Sequence, residues 1–285
     1  MPDAKPDRDR LAAVYGDVRA ASVRIAAPLR AEDCVVQTMP DVSPAKWHLA
    51  HTSWFFETFV LKHDPGYTPL DARYQWLFNS YYNGVGEQFP RAQRGTLSRP
   101  GVEEVLAYRR HVDAAMQRWL REAPTESVAP LLEVIEVGLN HEEQHQELMV
   151  TDLKHVLCTN PLEPVYRSDL RTAAAVASGT PATRATPAAP GAPGALQFAE
   201  VEGGVFEIGH DGAGFAFDNE GPRHRVLIDG CSLARRLTTC AEYLEFIADG
   251  CYRRPELWSP TAGTRCAAKA GARRSTGRSA TGPGR

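Results

Sequence analysis

The sequence contains no CxxC pair. Its six cysteines (Cys34, Cys158, Cys231, Cys240, Cys251 and Cys266) are scattered over 285 residues. That spacing argues against a structural zinc knuckle or a disulfide framework and fits reduced thiols in a cytoplasm. No run of 18 apolar residues occurs, so no membrane span is expected. The opening MPDAKPDRDR lacks an apolar stretch, so no secretory signal is expected either. Charge of neither sign dominates: 32 Lys and Arg face 35 Asp and Glu, for a net charge of -3. This balance gives no support for a nucleic-acid partner. What is present is a hydrophobic content of 43%, enough for one sizeable core and part of a second.

Composition divides the chain. Residues 1–170 are rich in helix formers and aromatics. Residues 171–195 are Ala, Pro, Thr and Gly with almost no bulky side chain, the composition of a linker. Residues 196–258 shift to short β-like runs punctuated by Gly, such as VEGGVFEIG and RHRVLIDG. Residues 259–285 are basic, have no large apolar residue and no periodicity, and are expected to be a disordered, out-of-frame tail.

Four amphipathic helices are expected in the first region, forming a bundle. The first spans about Asp9 to Leu29, with Leu11, Val14, Tyr15, Val18 and Val23 on its apolar face. The second follows Ser43-Pro44, read as N-cap and first position, and runs to about Lys62. A long loop, Asp64 to Pro100, carries aromatics, Gly and arginines. The third helix covers about Val102 to Arg121. The fourth starts near Pro130 and ends near Leu157, its stripe reading Leu131, Ile135, Gly138, His141, His145, Leu148 and Asp152.

His141 and His145 are four residues apart, about 40° from one another on the helix wheel and one turn apart. Two imidazoles so placed can share one metal ion. A third candidate ligand lies on the second helix, where Trp47, His51, Trp54, Phe55, Thr58 and Phe59 make an aromatic stripe with His51 at its centre. His48, one turn earlier, competes for that role. HEEQH also satisfies the HExxH pattern of zinc proteases, but the surrounding pattern differs and a third histidine is available upstream. His63, His111 and His155 read as ordinary histidines. Asp152, on the ligand stripe, is a candidate outer partner.

Three segments, SPAKWHLAHTSWFFETFVL, FNSYYNGVGEQFPRAQRG and GLNHEEQHQELMVTDLKHVL, resemble the N-terminal domain of the ergothioneine-biosynthesis (hercynylcysteine) sulfoxide synthases. GGVFEIGHDGAGFAFDNEGPRHRVLIDG and LTTCAEYLEFIADGCYRRPELW resemble the start of that family's second domain. The resemblance implies an α+β multidomain chain: a DinB-like four-helix bundle, then an incomplete formylglycine-generating-enzyme-like (C-type-lectin-like) module. It implies Fe(2+) held by His51, His141 and His145, with Arg91 and Arg94 binding the carboxylate of cysteine or γ-glutamylcysteine and Gln144 contacting hercynine. The implied reaction is O₂-dependent carbon–sulfur bond formation with sulfoxide formation in the cytoplasm, though ovothiol-forming synthases share the architecture. The family's catalytic tyrosine belongs to a portion with no counterpart before the basic tail, so an impaired chain is expected. Two rivals remain: a metal-dependent thiol transferase or hydrolase of the DinB-like group, and a non-catalytic metal-binding remnant.

Overall fold

The computed structural model describes residues 8–168 and 195–263. Contacts divide the chain into two units, 1–171 and 172–285. The expected linker falls almost wholly outside the described residues, as does the tail beyond 263.

The first unit is helical. Helix α1 spans Arg8–Ala26, α2 Ala45–Phe59, a short α3 Tyr74–Leu77, α4 Val102–Glu122, a short α5 Thr125–Val128 and α6 Leu132–Thr159. The four long helices form the core: α2 packs on α4 and α6, and α1 packs on the same two. Helix α2 is the innermost, with Ala45 through Thr58 all buried. A helix buried on every side shows little amphipathic pattern. Here aromatic residues fill the space, with Trp54 and Phe56 fully enclosed.

Gly138 explains how α6 comes so close to α2. A Cβ there would sit 2.7 Å from Cε1 of both Phe55 and Phe56, so only hydrogen fits between the helices.

Several expectations are corrected. The inward face of α1 is Ala12, Tyr15, Val18, Arg19 and Ser22, whereas Val14 and Val23 are exposed. Two polar residues replace apolar ones because α1 faces a buried carboxylate, described below. Ser43 does not cap α2. Its N–H donates to Asp152 Oδ2 at 2.8 Å and its hydroxyl accepts from Arg94 at 3.0 Å. The α6 stripe passes through Met149, which is buried, and leaves Leu148 exposed, as a 3.6-residue repeat allows. The long loop contains α3 and a 3₁₀ turn, Arg91–Thr96.

The second unit contains β1 (Phe198–Val201), β2 (Gly204–Ile208), β3 (His224–Ile228), β4 (Cys231–Ala234) and α7 (Cys240–Ala248). Strands β1 and β4 pair antiparallel, Phe198 opposite Ala234, and β2 and β3 pair likewise, Gly204 opposite Ile228. They form two separate two-stranded ribbons among the described residues. Thr239 and Glu242 cap α7 reciprocally: the Thr239 hydroxyl accepts from the Glu242 N–H, and the Glu242 carboxylate accepts from the Thr239 N–H at 2.9 Å. Cys251 is the one buried residue among those described in this unit, so the ribbons enclose little core of their own.

Candidate metal centre

Helix α2 supplies His51 and α6 supplies His141 and His145. One ligand atom from each lies within 4.8 Å of the others, and no carboxylate or thiol joins them in the group. The spacing of four on α6 brings two rings to a centroid separation of 4.6 Å, and His51 stands 4.7 Å from His145 and 5.1 Å from His141.

Aromatic rings enclose the three imidazoles. His51 lies between two indoles, Trp47 at 4.6 Å and Trp54 at 5.4 Å, both nearly parallel to it. Phe55 packs on His141 with centroids 5.0 Å apart. Tyr82, from the long loop, faces both His51 and His141. The aromatic stripe of α2 is therefore the wall of the centre as well as part of the core.

Hydrogen bonds fix the outer sides of two rings. His51 Nδ1–H donates to the Phe78 carbonyl at 2.6 Å, leaving Nε2 as its free lone pair. His145 Nδ1 shares a hydrogen bond of 2.8 Å with His48 Nδ1, and His48 Nε2 lies 3.0 Å from Asp152 Oδ2. His141 Nδ1 is buried with no hydrogen-bond partner. Metal ligation requires neutral imidazole, and the surroundings enforce it. Burial, helped by His141 and by the Arg94 guanidinium, drives the pKa of His51 well down, against the hydrogen bond to Phe78. Burial does the same to His145, with the other histidines adding to it. His141 is pushed down to about 4, again chiefly by burial. Three converging neutral nitrogens, on rings one of which has an orphaned buried atom, suit a divalent transition metal.

Arg94 is buried at 2% exposure. Its terminal nitrogens donate to the hydroxyls of Ser43 at 3.0 Å and Ser80 at 2.9 Å, while Nε has no partner. The guanidinium carbon sits 3.3 Å above the Trp47 ring, so Arg94, Trp47 and His51 form one stack. Burial, with Arg91 adding repulsion, pushes its pKa down to about 9. Arg91 is exposed and donates to the Tyr81 hydroxyl at 2.8 Å and to the Asp41 carbonyl. Gln144 is on the exposed side of α6. Of the other histidines, His155 Nδ1 bonds to Thr38 at 2.6 Å and His111 Nε2 to the Thr68 carbonyl at 2.9 Å.

Sequence reasoning missed a charged cluster beside the centre. Glu142, adjacent to His141 and fully buried, accepts hydrogen bonds from Ser22 at 2.5 Å, Arg19 at 2.9 Å and Arg109. Arg19 also pairs with Asp113 at 2.6 Å and donates to Ser53 at 2.7 Å. This network joins all four long helices. One signal was available: Arg19 falls on the 12–15–19–22 stripe of α1, where an arginine needs a buried partner.

Residues 15–149 match the family model of the DinB superfamily. The chain is 28% identical over 228 residues to the hercynine oxygenase of Mycolicibacterium smegmatis, an alignment covering 79% of this chain and 47% of that protein. The chain thus spans about half the length of the curated relative it matches. Residues 15–149, which include the three histidines of α2 and α6, are thus similar to the DinB superfamily, and the chain is similar over 79% of its length to a hercynine oxygenase.

Proposed function

We propose that the first unit is an iron(II) centre for O₂-dependent joining of a thiol to hercynine. The carrying observation is the convergence of His51, His141 and His145 within 4.8 Å with no acidic residue in the group. Three neutral ligands leave the charge of a divalent ion uncompensated, which favours an incoming thiolate. Iron(II) held there would supply open coordination positions for substrate sulfur and dioxygen and the redox chemistry that follows.

The remaining roles belong to the chain's own side chains. Trp47, Trp54 and Phe55 exclude water from the ligand rings and hold their planes. Arg94 contributes a buried positive charge without a carboxylate partner among the described residues, and that charge is felt at His51 and His145. Such a guanidinium is suited to the carboxylate of a small thiol, cysteine or γ-glutamylcysteine. Arg91 adds a second cation at the exposed edge, and Gln144 would meet hercynine from the solvent side of α6. We assign residues 196–258 of the second unit to part of a formylglycine-generating-enzyme-like module, on the resemblance of the two motifs between Gly203 and Trp258 to the start of that domain.

The test is anaerobic loading with iron(II), followed by metal analysis and exposure to O₂ with hercynine and each thiol. One iron per chain in the wild type, lost in His51→Ala, is the expected result, and a hercynine–thiol sulfoxide seen by mass spectrometry, even at a low rate, would identify the reaction. Failure to bind iron removes the proposal. Zinc retained in preference to iron, with thiol transfer that needs no O₂, would favour the transferase rival.

A further inference from the structure

We propose that His48 and Asp152 are positioning residues for this centre: the hydrogen-bonded chain Asp152–His48–His145 holds His145 in the tautomer whose Nε2 lone pair is available to a metal. The inference rests on the reading of His145 as a ligand and extends it to two residues outside the ligand set.

The polarity of the chain follows from a proton inventory. Asp152 Oδ2 accepts the Ser43 backbone N–H at 2.8 Å. A carboxylate oxygen used as an acceptor takes a second donor readily, and His48 Nε2 stands 3.0 Å from it. His48 Nε2 therefore carries hydrogen. A neutral imidazole has one N–H, so His48 Nδ1 is a lone pair. His145 Nδ1 is 2.8 Å from that lone pair, and two nitrogens so close cannot both carry hydrogen or both lack it. His145 Nδ1 is then the donor, and Nε2 is left bare. His51 reaches the same state more simply, by donating Nδ1–H to the Phe78 carbonyl.

Geometry explains why an intermediary is needed. Asp152 lies seven residues beyond His145 on α6, two turns or about 10 Å along the axis. A carboxylate there cannot reach the His145 ring. His48, on the facing helix α2 and only 3% exposed, fills the gap with an imidazole whose two nitrogens point to opposite partners. It stands three residues before His51, so adjacent turns of α2 carry one ligand and the holder of another. Outer partners of metal-bound histidines orient the ring and raise its basicity.

The experiment uses the full chain, cobalt(II) as probe metal, and nitrogen-15 NMR of the histidine rings of the metal-free protein. The wild type should show His145 as the Nδ1–H tautomer. His48→Phe removes the acceptor. It should shift His145 toward Nε2–H and weaken cobalt(II) binding roughly 10- to 100-fold. His48→Asn places an amide oxygen near the lost Nδ1, and should restore both the tautomer and most of the affinity. Asp152→Leu should weaken binding when His48 is present but have little further effect in the His48→Asn background. A buried pair with only a packing role would give equal losses for Phe and Asn, and that result overturns the proposal. So does a wild-type His145 found as Nε2–H. A wild type that shows the Nδ1–H tautomer but binds no cobalt(II) would instead remove the metal reading on which the proposal rests.

Discussion

Replacing Glu142 by glutamine tests whether the charged cluster holds the four helices together. Glu142 has no exposed surface and accepts from Arg19, Arg109 and Ser22. Burial alone would raise its pKa, but the two guanidiniums and the Ser22 hydroxyl outweigh it and hold it at about 2, against a usual 4.5. That difference corresponds to about 3 kcal/mol of stability at neutral pH. Breaking a buried ion pair by removing one partner gives a similar figure, about 3–5 kcal/mol. The amide of Glu142→Gln would keep the shape and one acceptor, yet Arg109 would lose its carboxylate and Arg19 would retain only Asp113. The depressed pKa fixes the sign of the pH dependence. The contribution is fully present above pH 4.5 and is lost as pH falls through about 2. Urea unfolding followed by tryptophan fluorescence reads this out, because Trp47, Trp54 and Trp119 are buried in the bundle. The expected gap between wild type and Glu142→Gln is about 3 kcal/mol at pH 7, narrowing from about pH 4.5 downwards. A gap under about 1 kcal/mol, the worth of an ordinary surface pair, or one that does not narrow, would refute the reasoning.

Gly138→Ala should destabilise the bundle by about 1–3 kcal/mol, since its methyl would overlap Phe55 and Phe56; an unchanged urea midpoint would show that the helices separate freely. The histidines predict their own pH effect. His51, His141 and His145 have pKa values lowered on folding, so the unfolded chain binds more protons below about pH 6.5, and stability should fall as pH drops from there toward about 4 for His141. A metal-free urea midpoint that stays flat across that interval would contradict their buried neutral state. Arg94→Ala should weaken binding of the thiol substrate to the metal-loaded chain more than binding of hercynine, by calorimetry; equal losses would point to a folding role for the Arg94–Trp47 stack.

Much of the centre is legible in the sequence because its information is local. The spacing of His141 and His145 is a property of one helix, and the aromatic stripe around His51 is a property of another. The choice between His48 and His51 is not legible. Both lie on the inner side of a helix that is buried all round, and periodicity cannot rank positions there. The distinction comes from partners far away in sequence: a backbone carbonyl at Phe78 for one, Asp152 for the other. Glu142 is opaque for the same reason. Its partners Ser22 and Arg19 are 120 and 123 residues distant, and a glutamate between two candidate ligand histidines reads equally well as a solvated residue. On α1, Val14 and Val23 mislead, because the inward stripe holds an arginine and a serine that pair with that carboxylate.

The polar residues of α2 show how one enclosed helix organises the unit. Lys46 donates to the carbonyls of Leu97 at 2.5 Å and Pro100 at 2.8 Å, fastening the end of the long loop. His48 and His51 serve the candidate centre, Ser53 accepts from Arg19 at 2.7 Å, and Glu57 accepts from Tyr108 at 2.7 Å. Each buried polar group needs a partner to offset its desolvation, so each one specifies a neighbour: the loop, α6, α1 and α4 in turn. An all-apolar α2 would bury as much surface but would leave its rotation among the other helices less defined. Rotation matters because His48 and His51 stand three positions apart on the same helix and turn together. A turn of α2 by one residue, about 100°, would carry His51 away from His141 and His145 and break the Phe78 contact together with the Asp152 link. The same bonds that compensate burial therefore set the angle at which His51 meets the two histidines of α6.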